Sequence, residues 1–286
     1  MRLILTLCLL IISCTTFAEK SAIDQRIKEE KELERVGFSI TPYKPIYIMP
    51  FVFNEKINTR NSYALDDNSE NEMQQLEMEF QISFRVPVWV EIADLPLSLH
   101  FAYTQLSIWQ AYNTDLSSPF RETNYEPEMF FTWQQNTELG LGWNFKMASI
   151  GFTHQSNGRS EPLSRSWNRI NAYLILENEN FVVAINPWYR FEESKNSDNN
   201  PDLLDYYGHG EARLVYNIEG NTIALMSRNN IESGFSKGAV EASWSFPIHE
   251  KVHGYIKLFS GYGNSMIEYD KYTNTIGIGI ALTDWL

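Results

Sequence analysis

From Leu76 to Val90 every second residue is apolar, and Leu76, Met78, Phe80, Ile82, Phe84, Val86, Val88 and Val90 enclose Glu77, Glu79, Gln81, Ser83 and Arg85. Successive strand side chains point to opposite faces, so the run predicts one long strand with a greasy face and a mostly polar one. Leu97, Leu99, Phe101 and Tyr103 repeat the pattern. Near the C terminus Ile276, Ile278, Ile280 and Leu282 alternate with Gly277, Gly279 and Ala281, small residues that leave room on the inner face. Strands of soluble sandwiches usually run about five or six residues. Longer alternating segments separated by turns, with a strand ending the chain, are the signature of an outer-membrane barrel. The expected fold class is all-β, a transmembrane antiparallel β-barrel.

At roughly 20 to 25 residues per strand and connection, the chain suits about 10 to 12 strands, even in number. Trp89, Trp109, Trp167, Trp188 and Tyr189 fall near strand ends and fit interfacial girdles. Residues 19–36 are highly charged and predict a short helix or an arm outside the barrel, while Asn54 to Glu72 and Glu192 to Asp205 read as polar loops. Met1, Arg2, the apolar stretch Leu3 to Ile12 and the ending Thr16-Phe17-Ala18 read as a secretory signal peptide, too short for a permanent membrane helix. Lipidation at Cys14 is the alternative. The expected organisation is a signal peptide at 1–18, a polar N-terminal arm at 19–45 and a barrel at 46–286.

Composition narrows the chemistry. Both cysteines, Cys8 and Cys14, lie in the leader, so the exported chain has no thiol for catalysis and no disulfide staple. Removing residues 1–18 takes away Arg2 and no acid, moving the formal net charge from -13 to -14 and excluding nucleic acid as a natural partner.

Within HQSNGRSEPLSRSWN, residues 154–168, His154 and Ser156 are two apart and project from the same face of one strand. That face is apolar, continuing Ala148, Ile150 and Phe152; Asn168 falls on the apolar face of the next strand. Antiparallel pairing of 156 with 166 sets His154 opposite Asn168, within hydrogen-bond reach. A serine beside a general base, whose tautomer a third group holds, is the arrangement of nucleophilic acyl transfer. In a barrel this face meets lipid, where a phospholipid ester lies. A lone HxS is more often a pair of structural residues, so a passive porin or adhesin barrel remains open here, as does a soluble periplasmic sandwich binding sugars or lipids. The polar trio on a greasy face argues for function, because polarity in lipid is costly.

The segment from His154 to Asn168, with SSPFRETNYEP at 117–127, NPD at 200–202 and SGYG at 260–263, resembles the outer membrane phospholipase A family of Gram-negative bacteria, from about Gln74 to the C terminus. The resemblance implies a twelve-stranded outer-membrane barrel that hydrolyses acyl esters of phospholipids and lysophospholipids (phospholipase A1/A2), needs calcium and is active as a homodimer. It makes Ser156 the nucleophile, His154 the base and Asn168 the orienting residue. It also implies calcium ligands at Ser117, Arg159 through its backbone carbonyl, and Ser164, with a further ligand at Asn199, where the family commonly has Asp and where Asp198 is the neighbour. Glu161 is close but is not expected to ligate. Gln105, continuing the apolar face of Leu97 to Tyr103, matches the family's dimer interface; an unpaired amide facing lipid would gain by pairing with a second subunit. His100, His209, His249 and His253 show no metal-site spacing and read as structural. The terminal Trp285-Leu286 departs from the aromatic last residue usual in such barrels.

Overall fold

The computed structural model describes residues 21–34, 39–57, 73–194 and 198–285. The stretch 1–18 read as a leader, with Cys14, and most of the polar stretch ending at Glu72 lie outside them. Twelve strands close on themselves: β2 (Ile46–Asn54), β3 (Leu76–Trp89), β4 (Leu97–Trp109), β5 (Phe120–Gly140), β6 (Trp143–Ser156), β7 (Ser166–Asn178), β8 (Phe181–Arg190), β9 (Gly210–Ile218), β10 (Asn221–Asn229), β11 (Gly238–His249), β12 (Val252–Tyr262) and β13 (Tyr272–Thr283). Every pairing is antiparallel between chain neighbours, and β13 returns to β2 to seal the sheet. A two-residue strand, β1 (Thr41–Pro42), adds to β3 alone. The barrel expected from the alternating pattern is the observed fold.

Burial is inverted relative to a soluble protein. Glu77, Glu79 and Ser83 of β3 are buried in the lumen, whereas Ile82, Phe131, Ile150, Phe152, Ile276 and Ile278 are exposed on the outer wall. Water-free lipid accepts that wall, and closure leaves no unpaired backbone edge. Gly277 makes the room expected of it, since a Cβ there would meet the Met49 sulfur at 2.7 Å. The connections divide by length. One end carries tight turns such as Glu219–Gly220, both residues at positive φ, the mirror-image turn that suits strand twist. The other end carries the long connections, including 110–119, 157–165 and 191–209. In outer-membrane barrels short turns face the periplasm and long loops the exterior.

Three expectations are corrected. The charged segment contains the expected short helix, but not outside the barrel: among its described residues, α1 (Ala22–Glu34) sits within the lumen near the short-turn end. Its charges find partners there, with Asp24 against Lys146 and Glu30 against Arg85, and Ser21 just before it donates to Glu177 at 2.5 Å. Ile23 packs beside Val182, Val215 and Ala224. A lumen rich in opposite charges solvates a polar helix as lipid cannot. Trp285 points inward too, under the Arg213 guanidinium, and its carbonyl accepts from Arg26. Trp167 and Trp188 are not girdle residues either. Both are buried inward with Leu203, Tyr207, Met266 and Tyr269, because each occupies the lumenal phase of its strand. Trp89 and Tyr189, by contrast, are exposed as expected. The stretch expected as loop from Glu192 to Asp205 ends in a short helix, α2 (Leu203–Tyr207), that supplies part of this inner cluster.

Candidate active site

The hairpin β6–β7 pairs Ser156 with Ser166, Gln155 with Trp167 and His154 with Asn168. This is the register inferred from the sequence, and it places the polar trio on the outer wall at the long-loop end. His154 Nδ1 and Asn168 Oδ1 are 2.9 Å apart. An amide oxygen can only accept, so Nδ1 carries the proton and Nε2 is left as the lone-pair base. Asn168 Nδ2 in turn donates to Glu193 at 3.2 Å. All three site residues are half-buried, with exposed Ile150, Phe152 and Ile170 around them on the same wall.

Behind this wall the intervening residues clasp the two strands from the lumen. Gln155 Oε1 accepts from Trp167 Nε1 at 2.8 Å and from Arg169 at 3.3 Å, and the Arg169 guanidinium lies 4.1 Å over the Trp167 ring. Arg169 also pairs with Glu126, which is tied to Lys44. Gln155, Arg169, Glu126 and Lys44 were not singled out from the sequence, and Trp167 was read there as a girdle residue. Their only signal is phase, since they alternate with the trio and must face inward.

The loop after Ser156 is built around Asn157, likewise unforeseen. Its buried side chain accepts from the amides of Arg159 (3.3 Å) and Arg165 (2.9 Å) and donates to the Leu163 carbonyl (2.8 Å). Asn is the residue whose short amide closes such turns on its own backbone. The Arg159 side chain is directed away, to the carbonyls of Phe120 and Arg121 and toward Glu122. Ser164 Oγ accepts from Asn199 Nδ2 at 2.8 Å, and Asn199 Oδ1 receives the Ser166 amide at 3.1 Å. Asp198 instead engages Arg190 at 2.7 Å, so Asn199 is the member of the pair that reaches the loop. Ser117 lies on the adjoining loop, exposed and in a left-handed conformation. No hydrogen bond joins it to Ser164 or Asn199 among the described residues. No cluster of three His, Cys, Asp or Glu suited to a metal occurs among the described residues. The nearby donors are instead hydroxyl, amide and carbonyl oxygens, with the Glu161 carboxylate 3.5 Å from Asn199. That set suits a hard cation and no soft one.

Beneath these loops Arg121 is fully buried, bidentate to Glu77 at 2.6 and 2.9 Å and bonded to Glu268 at 2.6 Å. A register shift between Ile108 and Trp109 turns both Arg121 and Glu122 inward. Glu122 accepts from Asn124 and from the Ile267 amide, which anchors the 263–271 connection. In that connection burial and a hydrogen bond to Asp202 push the Tyr269 hydroxyl above the ordinary phenol range, so it stays protonated and donates to Asp202.

Gln105 departs from expectation in one respect. Its amide is not unpaired, since Tyr103 Oη donates to its oxygen at 3.0 Å and its nitrogen donates to Ser107 Oγ at 3.2 Å. The hydroxyls of Tyr103 and Ser107, each two residues away on the same face, supply the partners. The registers set Gln105 opposite Tyr125, and Tyr125 opposite Ser156. A transverse row therefore runs from Gln105 to the site serine.

Residues 23–282 match the family described as phospholipase A1. The phospholipase A1 of Escherichia coli K12 is 36% identical over 247 residues, covering 86% of this chain and 82% of that protein. The putative phospholipase A1 of Neisseria meningitidis is 36% identical over 254 residues, and the chain spans 65% of its length. The solved outer membrane phospholipase A from Escherichia coli superposes with a TM-score of 0.80 at 34% identity, covering 87% of this chain and 94% of that one. The Salmonella typhi outer membrane phospholipase, solved as a dimer with bound calcium, gives the same TM-score and identity over 87% of this chain and 93% of that one.

Proposed function

Because this chain belongs to the phospholipase A1 family, and is a phospholipid-hydrolysing barrel of the Gram-negative outer membrane, we propose that Ser156 is its nucleophile, His154 its general base and Asn168 the group that orients the base. The observation that carries this reading is the 2.9 Å contact of His154 Nδ1 with Asn168 Oδ1 on the lipid-facing wall. With Nδ1 committed to Asn168, Nε2 takes the Ser156 proton as Oγ attacks the acyl carbonyl carbon. The same nitrogen then protonates the departing alcohol, and water repeats the sequence to free the fatty acid. A phospholipid held in the outer leaflet beside this wall presents its ester at the depth of the long-loop end.

We further propose calcium as the cofactor, held by the Arg159 carbonyl, Ser164, Asn199 and Ser117. Asn157 shapes that loop, and the turned-away Arg159 guanidinium keeps its charge off the cation. When bound, the ion supplies positive charge against the oxyanion that develops on the substrate. Asn199 contributes a neutral oxygen, and ligand charge tunes calcium affinity. Asn199→Asp is expected to lower the calcium concentration giving half-maximal activity about three- to tenfold. An unchanged calcium titration would remove Asn199 from the ligand set.

We also propose homodimerisation through the wall bearing Gln105; the row Gln105, Tyr125, Ser156 supports it, since a second copy on that wall would lie beside the nucleophile. The partner amide would exchange with the bonds Gln105 now makes to Tyr103 and Ser107. In this reading residues 1–18 are the export leader, and residues 19–45 deliver α1 into the lumen.

The test is labelling of the detergent-solubilised enzyme with a long-chain sulfonyl fluoride, with calcium or with chelator, followed by mapping of the modified residue and cross-linking. The expected result is a single adduct on Ser156, dependent on calcium and on His154, in a cross-linked dimer. An adduct at another residue would refute the assignment.

A further inference from the structure

An asparagine can serve a histidine base in one orientation only. With Oδ1 toward His154, Nδ1 is protonated and Nε2 is free to accept from Ser156. With the amide turned over, Nδ2–H faces Nδ1, the ring proton moves to Nε2, and the base is lost. The two orientations fill the same space, so packing does not choose between them. Around Asn168 the wall is apolar, which leaves few partners able to hold the Nδ2 side.

Glu193 is placed to hold it. β8 ends at Arg190, and the Phe191 amide donates to the Asn168 carbonyl at 2.9 Å, carrying the chain past Asn168 in continued register. Two residues on, the Glu193 carboxylate accepts from Asn168 Nδ2 at 3.2 Å. The far end of the same connection is fixed by Arg190, which bonds Asp198 at 2.7 Å and the Asn200 carbonyl at 2.9 Å. Glu193 itself is half-buried. An ionised carboxylate can only accept, so it admits the amide nitrogen and rejects the amide oxygen.

We infer that Glu193 is a positioning residue that locks the Asn168 amide with its oxygen toward His154. It also sets a negative charge one hydrogen bond beyond the neutral amide, where it favours the imidazolium that forms as Ser156 gives up its proton. The chain Ser156, His154, Asn168, Glu193 divides between two residues what a single aspartate does in other triads. This inference rests on the triad reading proposed above.

The experiment compares Glu193→Ala, Glu193→Gln, Asn168→Ala, Asn168→Asp and the Glu193→Ala combinations with each Asn168 variant, in the purified full-length enzyme with calcium. Glu193→Ala is expected to lower kcat about tenfold, the scale of one charge-assisted hydrogen bond, with KM and thermal stability unchanged. Glu193→Gln, which keeps an acceptor oxygen, recovers part of the loss. In the Asn168→Ala background Glu193→Ala costs nothing further. The sign reverses with Asn168→Asp, where two carboxylates would face each other, and Glu193→Ala then raises activity. A loop residue with only a structural role would lower all backgrounds alike. Full activity of Glu193→Ala, with Asn168→Ala impaired, would overturn the inference and leave the triad standing. Full activity of Asn168→Ala would overturn both.

Discussion

Ser156→Ala should abolish fatty-acid release, lowering kcat by at least about 10⁴-fold, while Asn168→Ala should cost only about 10²-fold. The asymmetry follows from the roles proposed for each group. Without the Ser156 hydroxyl no acyl intermediate forms, and the remaining site can only hold the ester near water. Without Asn168 the imidazole and hydroxyl both persist, and the ring samples its correct tautomer for part of the time. A neutral amide 2.9 Å from Nδ1 stabilises the imidazolium less than a carboxylate would, so its removal forfeits less. It also places no second charge on a hydrocarbon-facing wall, where an unpaired ion is expensive. Initial-rate assays on phospholipid in mixed micelles measure both variants, with heat-shifted electrophoretic mobility as the check on folding. Losses of equal size would show that Asn168 is as indispensable as the nucleophile and contradict a purely orienting role.

Arg121→Ala carries the largest expected cost in stability, about 3–5 kcal/mol. The guanidinium has no exposure to solvent, and it holds Glu77 bidentately and Glu268 through its third nitrogen. Deleting it takes the bidentate guanidinium from Glu77 and a charge-assisted bond from Glu268, both buried in the lumen, with Glu122 close by in the same inner layer. Breaking a buried pair from one side costs far more than the pair contributes when intact. Because Glu268 lies in the connection that also docks Ile267 on Glu122, the damage should spread to the loops over the site. Urea unfolding in lipid vesicles reads the loss. Arg121→Lys, which keeps the charge but not the planar fork, should lose less. A midpoint for Arg121→Ala equal to that of the parent would mean that water in the lumen already screens these carboxylates.

The alternation Leu76 to Val90 was enough to read long strands with one greasy face, and a greasy face on strands of that length favours a membrane barrel over a soluble sandwich. Phase also put His154, Ser156 and Asn168 on that face, and hairpin arithmetic set His154 opposite Asn168, as the register has it. Period-2 reading is dependable there because a one-residue slip would turn every lipid-facing side chain inward. The reading failed where residue type or charge stood in for phase. Trp167 and Trp188 were placed by residue type, although their phase pointed to the lumen. Charge alone sent α1 outside, where only the pattern of acids and bases within the closed sheet could show that the lumen receives it.

What the chain determined by itself, then, is local and periodic: strand length, facing, the pairing of one hairpin, and the chemistry of three side chains at its end. What only the tertiary structure decided is everything that joins elements far apart in sequence: Arg121 reaching Glu268, Asn199 reaching Ser164, Asp198 drawn off to Arg190, and Glu193 folding back on Asn168. The reason is that strand periodicity is imposed by the backbone at every second residue. A carboxylate or amide in a loop takes its role from whichever partner barrel closure brings within hydrogen-bond reach, and no spacing along the chain encodes that.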